Sequence, residues 1–118
     1  MDGQLRQEDG GIVKYKFICP VFRIEVRLCI GKKPQHIENC YSACCDTVTK
    51  SDGSLDYILV WVEKPDNYND MVHEALHLTA RVFELINIPF TSENDEVIAY
   101  YQNYWVRKFW HKMSKYIN

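Results

Sequence analysis

The sequence lacks several features that would each identify a class of protein. No apolar run approaches the roughly 18 residues needed to cross a bilayer, and the segment MDGQLRQEDGG lacks the basic-then-apolar order of a signal peptide. The 14 Lys and Arg against 16 Asp and Glu lack the positive balance typical of nucleic-acid-binding domains. We therefore expect a cytoplasmic protein with neither a membrane nor a nucleic-acid partner.

Paired CxxC spacings are also absent, although the chain has five cysteines. Zinc knuckles need such pairs, so the cysteines do not predict a structural zinc site. Reduced, mostly buried thiols in a cytosolic compartment are the simplest interpretation for Cys19, Cys29, Cys40, Cys44 and Cys45.

The chain does contain enough apolar material for one folded domain. It has 118 residues, of which 47% are hydrophobic and 14% aromatic, and it shows no internal repeat. Residues 1–11 lack periodicity and end in a Gly-Gly pair. We expect these residues to form a flexible leader, followed by a single domain over residues 12–118.

Patterns typical of β-strands occupy the first half of the chain. Between Ile12 and Ile30, β-branched and aromatic residues predict two strands, or one strand interrupted at Cys19-Pro20. Farther along, CCDTVTK and SLDYILVWVE flank the turn SDGS, which predicts a β-hairpin. The expected sheet is mostly antiparallel and has three or four strands, with Leu55 to Val62 as an open edge.

Helical patterns occupy the second half. The turn and cap residues of KPDNYND precede MVHEALHLTARVFELINI, which predicts a helix from about Asp70 to Ile86. Pro89 ends that helix, and Ser92 with Asp95 has a spacing similar to a capping box at the start of a second helix. The predicted fold class is α+β, with both helices packed on the sheet.

A narrow polar stripe is predicted on the first helix. Such a stripe on an otherwise apolar helix indicates that its polar side chains line a cleft and do not face open solvent. At about 100° per residue, one sector of the helix contains Asp70, His73, Glu74, His77, Arg81 and Glu84.

The stripe includes a histidine pair with metal-binding spacing. His73 and His77 are four residues apart, so both imidazoles can reach one ion at the zinc–nitrogen distance of about 2.0–2.1 Å. A catalytic zinc needs a third protein ligand from elsewhere. Glu74 is placed to accept a proton from the attacking water and to pass it to the leaving amine.

HEALH followed, after eighteen residues, by Glu96 resembles the HExxH-plus-glutamate arrangement of gluzincin metallopeptidases. The resemblance implies Zn²⁺ as cofactor, His73, His77 and Glu96 as its ligands, and Glu74 as the general base. It covers about residues 55–110 and implies a zincin-like edge strand that pairs with an extended substrate. The overall layout is similar to that of small HExxH proteins encoded by bacteriophages.

Two parts of the gluzincin pattern are left open by this sequence. Thermolysin-like enzymes have an aspartate where this chain has Tyr100, so the carboxylate that orients a ligand histidine would have to be Asp70, Asp95 or Glu84. Glu93 and Asp95 are alternatives to Glu96 as the third ligand.

Tyr100 is also a candidate catalytic residue, because Tyr100 or Tyr104 could donate a hydrogen bond to the oxyanion of a tetrahedral intermediate. The remaining aromatic residues of the last helix are expected to be core. Its basic end, from Arg107 to Lys115, is favoured by the helix dipole, and the alternative is a contact for an acidic partner or nucleic acid.

The sequence therefore predicts a zinc-dependent hydrolase that cleaves a peptide or similar amide bond, with a peptide or protein as substrate. The rival hypothesis is a catalytically inactive zincin-like module whose groove holds a partner peptide. A chain of 118 residues lacks the second subdomain that walls the cleft of larger relatives, and a homodimer is one way to supply that wall.

Overall fold

Five β-strands precede two α-helices in the computed structural model. It describes residues 3–8, 12–19, 22–35, 37 and 39–117, with the backbone alone for residues 3–8. The strands are β1 (Gly3–Glu8), β2 (Ile12–Ile18), β3 (Glu25–Ile30), β4 (Ala43–Thr49) and β5 (Leu55–Val62). The helices are α1 (Tyr68–Leu85) and α2 (Asp95–Met113), with 3₁₀ turns at Ser92–Asn94 and Ser114–Tyr116. The predicted α+β class is confirmed.

The strands form one sheet in the order β1-β2-β3-β5-β4. Every neighbouring pair is antiparallel except β3 and β5, which run parallel in a register that places Val26 opposite Ile58. The β4–β5 hairpin is the predicted one, with Gly53 at a φ of 90° in its turn. Among the described residues, no strand pairs with the outer side of β4, which is therefore an edge.

The prediction that Leu55–Val62 is the open edge of the sheet was wrong. This strand, β5, lies between β3 and β4. Its second half, Ile58 to Val62, is buried residue after residue, because side chains on both faces of an interior strand pack against other groups. A continuous apolar run of this kind is typical of an interior strand rather than of an edge.

Part of the predicted flexible leader over residues 1–11 is a strand, because Gly3–Glu8 forms β1, whereas residues 1, 2 and 9–11 lie outside the described residues. β1 pairs with β2 in a register that joins Gly3 to Lys16 and Glu8 to Ile12. Pairing with a neighbouring strand satisfies backbone N–H and C=O groups whatever the side chains are, so it requires no apolar periodicity. The sheet accordingly has five strands rather than three or four.

The two faces of the sheet are covered by different parts of the chain. Both helices pack on one face, where Phe17, Leu28 and Val60 belong to the main core together with Leu78 and Trp105. On the other face a smaller cluster buries Ile12, Cys29, Ile37, Leu59 and Trp61, and the segment between β3 and β4 supplies Ile37. The helix-covered face therefore positions α1 and the histidine pair.

The start of α1 is fixed by a side-chain cap. Asn67 Oδ1 accepts a hydrogen bond from the Asp70 backbone N–H at 3.1 Å, so α1 begins two residues before the predicted start. The expected Ser92–Asp95 capping box is replaced by a 3₁₀ turn, and α2 begins after Asn94 with no side-chain cap. No helix in the described part of the chain is long and apolar enough to cross a membrane.

The expectation that all cysteines are reduced was wrong for one pair. Cys40, in the turn before β4, and Cys44, at its start, form a disulfide with a Cα–Cα distance of 5.9 Å. That distance falls in the range of ordinary disulfides, because the turn folds Cys40 back toward the strand. Cys19, Cys29 and Cys45 are thiols outside this disulfide.

Candidate metal centre

The position of the histidine pair follows from how α1 packs. One side of the helix buries Met71, Ala75, Leu78 and Val82 against the sheet and α2. Because His73 and His77 lie on the opposite side of the helical turn, both imidazoles are exposed.

The two imidazoles converge on one point in space. His73 Nε2 and His77 Nε2 are 3.1 Å apart, with ring centroids separated by 4.7 Å and ring planes inclined by 69°. Two nitrogens at this separation, each about 2.05 Å from one ion, would subtend roughly 98° at it, close to the tetrahedral angle of about 109°. The pair therefore fits two adjacent ligand positions of a zinc ion.

Glu74 lies beside the pair but in a different environment. Its residue is only 8% exposed, and burial raises the pKa of its carboxyl above the ordinary glutamate value, while His73 and His77 oppose that rise. Desolvation disfavours the ionised form, so the carboxylate is a stronger base than one in open water. A partly desolvated carboxylate next to a metal-binding pair has the properties expected of a general base.

Strand β4 runs alongside the buried side of Glu74. The Cys45 thiol of β4 is close enough to feel the charges of Glu74 and Arg81, and burial first, then Glu74, raises the pKa of that thiol to about 12. Ser42 Oγ, just before β4, donates a hydrogen bond to the Asp70 carboxylate one turn before the pair. The edge strand of the sheet is thus attached to α1 at the level of the candidate site.

Helix α2 runs antiparallel to α1. Near the start of α1, Tyr68 contacts Trp110 with ring centroids 5.0 Å apart, and near its end Phe83 contacts Tyr101 at 5.8 Å. Residue numbers therefore rise along one helix as they fall along the other. This arrangement brings the N-terminal turn of α2, where Glu96 lies, toward the C-terminal half of α1.

The position of Glu96 along the axis of α1 follows from the contacts between the two helices. Gln102 Nε2 donates to the Val72 carbonyl oxygen at 3.4 Å. At a rise of about 1.5 Å per residue, Glu96 lies about 9 Å from Gln102 and His77 about 7.5 Å from Val72, in the same direction. Counted in the same way, the Tyr68–Trp110 and Phe83–Tyr101 contacts place Glu96 level with the last turn of α1 or beyond it, so its backbone lies past the height of His77, and its side chain is exposed.

The structure does not bring a third ligand to the histidine pair. Among the described residues, no group of three or more His, Cys, Asp and Glu side chains is close enough to share a metal ion. This applies to Glu96 and equally to the alternatives Glu93 and Asp95. The zinc ligand set remains a prediction, because the two histidines converge but no carboxylate ligand is in place among the described residues.

Two of the three candidate orienting carboxylates have other partners. Asp70 accepts hydrogen bonds from Ser42 and from Asn67, the latter at 2.8 Å, and Glu84 lies 3.9 Å from Arg81 on the same helix. Asp70 is the one connected to strand β4.

The polar stripe lies on an open surface rather than in the expected cleft. His73, His77, Arg81 and Glu84 are exposed, and only Glu74 is buried. Tyr100, the predicted oxyanion donor, is 75% exposed on α2, whereas Tyr104 is half-buried against Trp105. In the described part of the chain no second subdomain covers the stripe.

Sequence reasoning did not identify the contribution of β4. Cys45 and Ser42 are in a segment whose sequence is typical of an ordinary hairpin strand. No residue pattern in that segment predicts a contact with α1. The available signal was the continuous apolar run of β5, which identifies β5 as interior and leaves β4 as the outer strand.

Comparisons with known proteins found no relative of this chain. No family model, curated protein or solved structure matches the chain. The function is therefore argued from the side chains of the site itself.

Proposed function

We propose that this protein is a zinc-dependent, gluzincin-like metallopeptidase that hydrolyses a peptide or similar amide bond in the cytoplasm. The observation that carries the proposal is the 3.1 Å approach of His73 Nε2 to His77 Nε2 beside the buried Glu74. Two convergent imidazoles would hold the ion, and Glu96, in the first turn of the neighbouring helix α2, is the proposed third ligand.

The chain's own residues divide the work of hydrolysis. A bound Zn²⁺ supplies Lewis acidity toward a water molecule and the substrate carbonyl. Glu74 accepts a proton from the attacking water and delivers it to the amine nitrogen of the leaving group, so that the peptide C–N bond breaks. The partial burial of Glu74 favours the protonated carboxyl that makes this second transfer. Tyr100 is the proposed donor to the oxyanion.

The outer edge of β4 is the proposed substrate-binding strand, in place of β5. An edge strand presents unpaired backbone N–H and C=O groups, and an extended peptide can add to them as a further strand. Because Cys45 of β4 lies near Glu74, a peptide paired with β4 would run past the general base.

Metal content tests the ligand assignment. Protein purified without chelator should contain one zinc per chain by elemental analysis, and His73→Ala, His77→Ala and Glu96→Ala should each lose it. The matched control is His111→Ala, an exposed histidine on α2 outside the pair. Stoichiometric zinc in Glu96→Ala would remove Glu96 from the site, and zinc in the two histidine variants would refute the centre.

Glu74→Gln tests the mechanism separately from metal binding. The substitution keeps the size of the side chain but removes the base, so zinc content should stay near wild type. Cleavage should fall by roughly 10²–10⁴-fold, the typical effect of losing a general base. New termini generated in a peptide library, counted by mass spectrometry, measure this without a known substrate. Equal cleavage by both proteins would show that Glu74 is dispensable.

The rival function is a catalytically inactive peptide-binding module. The observation in its favour is that the described residues do not assemble three metal ligands. This rival predicts no cleavage by wild type or Glu74→Gln, together with peptide binding along β4 that persists in Glu74→Gln. The cytoplasmic location has its own test, because the Cys40–Cys44 disulfide is typical of an oxidising compartment. Reduced Cys40 and Cys44 after rapid alkylation of intact cells would support the cytoplasm, and an intact disulfide would contradict it.

A further inference from the structure

The C-terminal part of the chain has a charge distribution unlike the rest. No Asp or Glu follows Glu96, whereas Arg107, Lys108, Lys112 and Lys115 all lie after it. Residues 97–118 therefore carry a formal charge of +4, and residues 1–96, with ten Lys and Arg against sixteen Asp and Glu, carry −6. A helix dipole favours cations at its C-terminal end but does not require every carboxylate to be absent.

The basic side chains of α2 line a hollow. We call this hollow the α2 groove. It has a volume of about 450 Å³ and is bounded by Tyr104, Arg107, Lys108, His111 and Lys112. Among the described residues, the side chains that bound the groove include four that carry or can carry positive charge and no carboxylate. It therefore has the electrostatic character of a site for an anionic group.

A second hollow extends the α2 groove toward the start of α1. It has a volume of about 540 Å³, shares Arg107 and His111 with the groove, and adds the rings of Tyr68 and Trp110. Tyr68 is 44% exposed and Trp110 half-buried, with ring centroids 5.0 Å apart. The combined surface offers cations along one side and exposed aromatic rings on the other, both of which are common in peptide-binding interfaces.

Two lysines are held in position over aromatic rings. Lys112 Nζ lies 4.9 Å from the centroid of the Tyr15 ring, and Lys108 Nζ lies 5.6 Å from that of Tyr104. Cation–π contacts of this kind restrict a flexible side chain before any ligand arrives, which reduces the entropy lost on binding. The charges of the groove are therefore partly preorganised.

The dimensions of the surface indicate the size of its ligand. From Tyr104 to Ser114 the helix rises about 15 Å, which matches four or five residues of extended peptide. A long nucleic acid would extend beyond this length, and residues 1–96 carry a formal charge of −6, which disfavours a long polyanion. A short acidic peptide would end where the positive surface ends.

We propose that the α2 groove binds a short acidic peptide segment, about four or five residues rich in Asp and Glu, presented by a partner protein. This site is separate from the histidine pair and does not depend on the metal or on hydrolysis. The acidic side chains lie against Arg107 and Lys112, which both line the groove.

The test measures the binding of three labelled probes by fluorescence anisotropy. They are a peptide with five consecutive Asp and Glu residues, its Asn and Gln counterpart, and a single-stranded DNA hexamer with five phosphates. The acidic peptide should bind, with an affinity that falls as salt is raised, and the amide peptide should not. Intrinsic fluorescence should change as well, because Trp61 and Trp105 are buried and Trp110 is the tryptophan at the surface.

Two variants with the same loss of charge locate the site. Arg107→Gln with Lys112→Gln should weaken acidic-peptide binding by about tenfold or more, as expected for two lost charge contacts. Lys32→Gln with Lys33→Gln, at exposed positions between β3 and β4, should change it by less than about twofold. Circular dichroism checks that both variants fold.

Three outcomes would overturn the proposal. They are the absence of acidic-peptide binding to wild type, an equal loss of affinity in the two double variants, and tighter binding of the DNA hexamer than of the acidic peptide. The second would mean that net charge alone causes the attraction, and the third that the groove is a nucleic-acid site.

Discussion

Replacing Leu78 by alanine should destabilise the protein strongly without altering the exposed histidine pair. Leu78 follows His77 directly but points to the opposite side of α1 and has no exposed surface. It belongs to the main core with Ile58 and Val60 of β5. The substitution therefore removes three buried carbon atoms from the interface that holds α1 on the sheet.

The expected magnitude follows from the surroundings of Leu78. Buried Leu→Ala changes cost about 2.7–5.0 kcal/mol, and a rigid strand beneath the site limits how far the cavity can collapse. We expect a loss of about 3 kcal/mol. For 118 residues the unfolding entropy is about 250 cal/mol/K, so the melting temperature should fall by about 12 °C.

Leu76→Ala is the matched control, because it makes the same change on the same helix two residues earlier. Leu76 is 39% exposed and leaves no closed cavity, so its loss should cost about 1 kcal/mol or less and shift the melting temperature by at most about 4 °C. Differential scanning calorimetry of both variants in the presence of chelator measures the difference, and zinc titration at 15 °C compares the site.

Equal melting temperatures for the Leu78 and Leu76 variants would refute the packing of α1 described above, because the buried and exposed sides of the helix would then be indistinguishable. Loss of the zinc site in the folded Leu78 variant would refute the separation of stability from ligand geometry.

Three other predictions concern single groups in the structure. Trp61→Phe should lower the free energy of unfolding by about 1 kcal/mol more than Trp105→Phe does, because Trp61 Nε1 donates to the Gly31 carbonyl at 2.8 Å whereas Trp105 Nε1 has no hydrogen-bond partner among the described residues. Chemical denaturation measures both variants, and equal losses would contradict the prediction. Asn67→Ala should lower the free energy of unfolding by about 1 kcal/mol, because the cap of α1 is lost. Asn69→Ala, at an exposed site in the same turn, should lower it by less. Burial raises the pKa of the Cys45 thiol to about 12, so the neutral thiol is favoured in the folded state and its contribution to stability is lost as pH rises from about 9 through 12. Iodoacetamide at pH 9 should therefore label Cys45 slowly in native protein and rapidly in denaturant. Comparison with Cys45→Ser identifies the label on Cys45. Fast labelling of Cys45 in the native protein would contradict the prediction.

Much of the fold could be predicted because its signals are local. The alternation around β3, the Asp-Gly turn between β4 and β5, and the cap before α1 each depend on a few neighbouring residues, and each element is present. Strand order was harder, because it depends on which surfaces meet in space. β3 pairs in parallel with β5 although β4 comes between them along the chain, and no local sequence pattern predicts this pairing.

The candidate site was predictable to the extent that it lies on one helix. Two histidines four residues apart must be neighbours on α1, and this spacing allows the 3.1 Å approach of their Nε2 atoms. The placement of Glu96 depends on how α2 crosses α1, which is set by aromatic contacts such as Tyr68 with Trp110. A spacing of eighteen residues cannot specify that crossing.

The order of the elements along the chain has a consequence for synthesis on the ribosome. All five strands precede both helices, so the apolar side chains of Phe17, Leu28 and Val60 are made before the helices that cover them. Residue 113, which ends α2, follows residue 62, which ends β5, after roughly 3–10 s at typical translation rates. During that interval the nascent sheet has an uncovered apolar face, and a pause in translation after Val62 would prolong its exposure to chaperones and to other nascent chains.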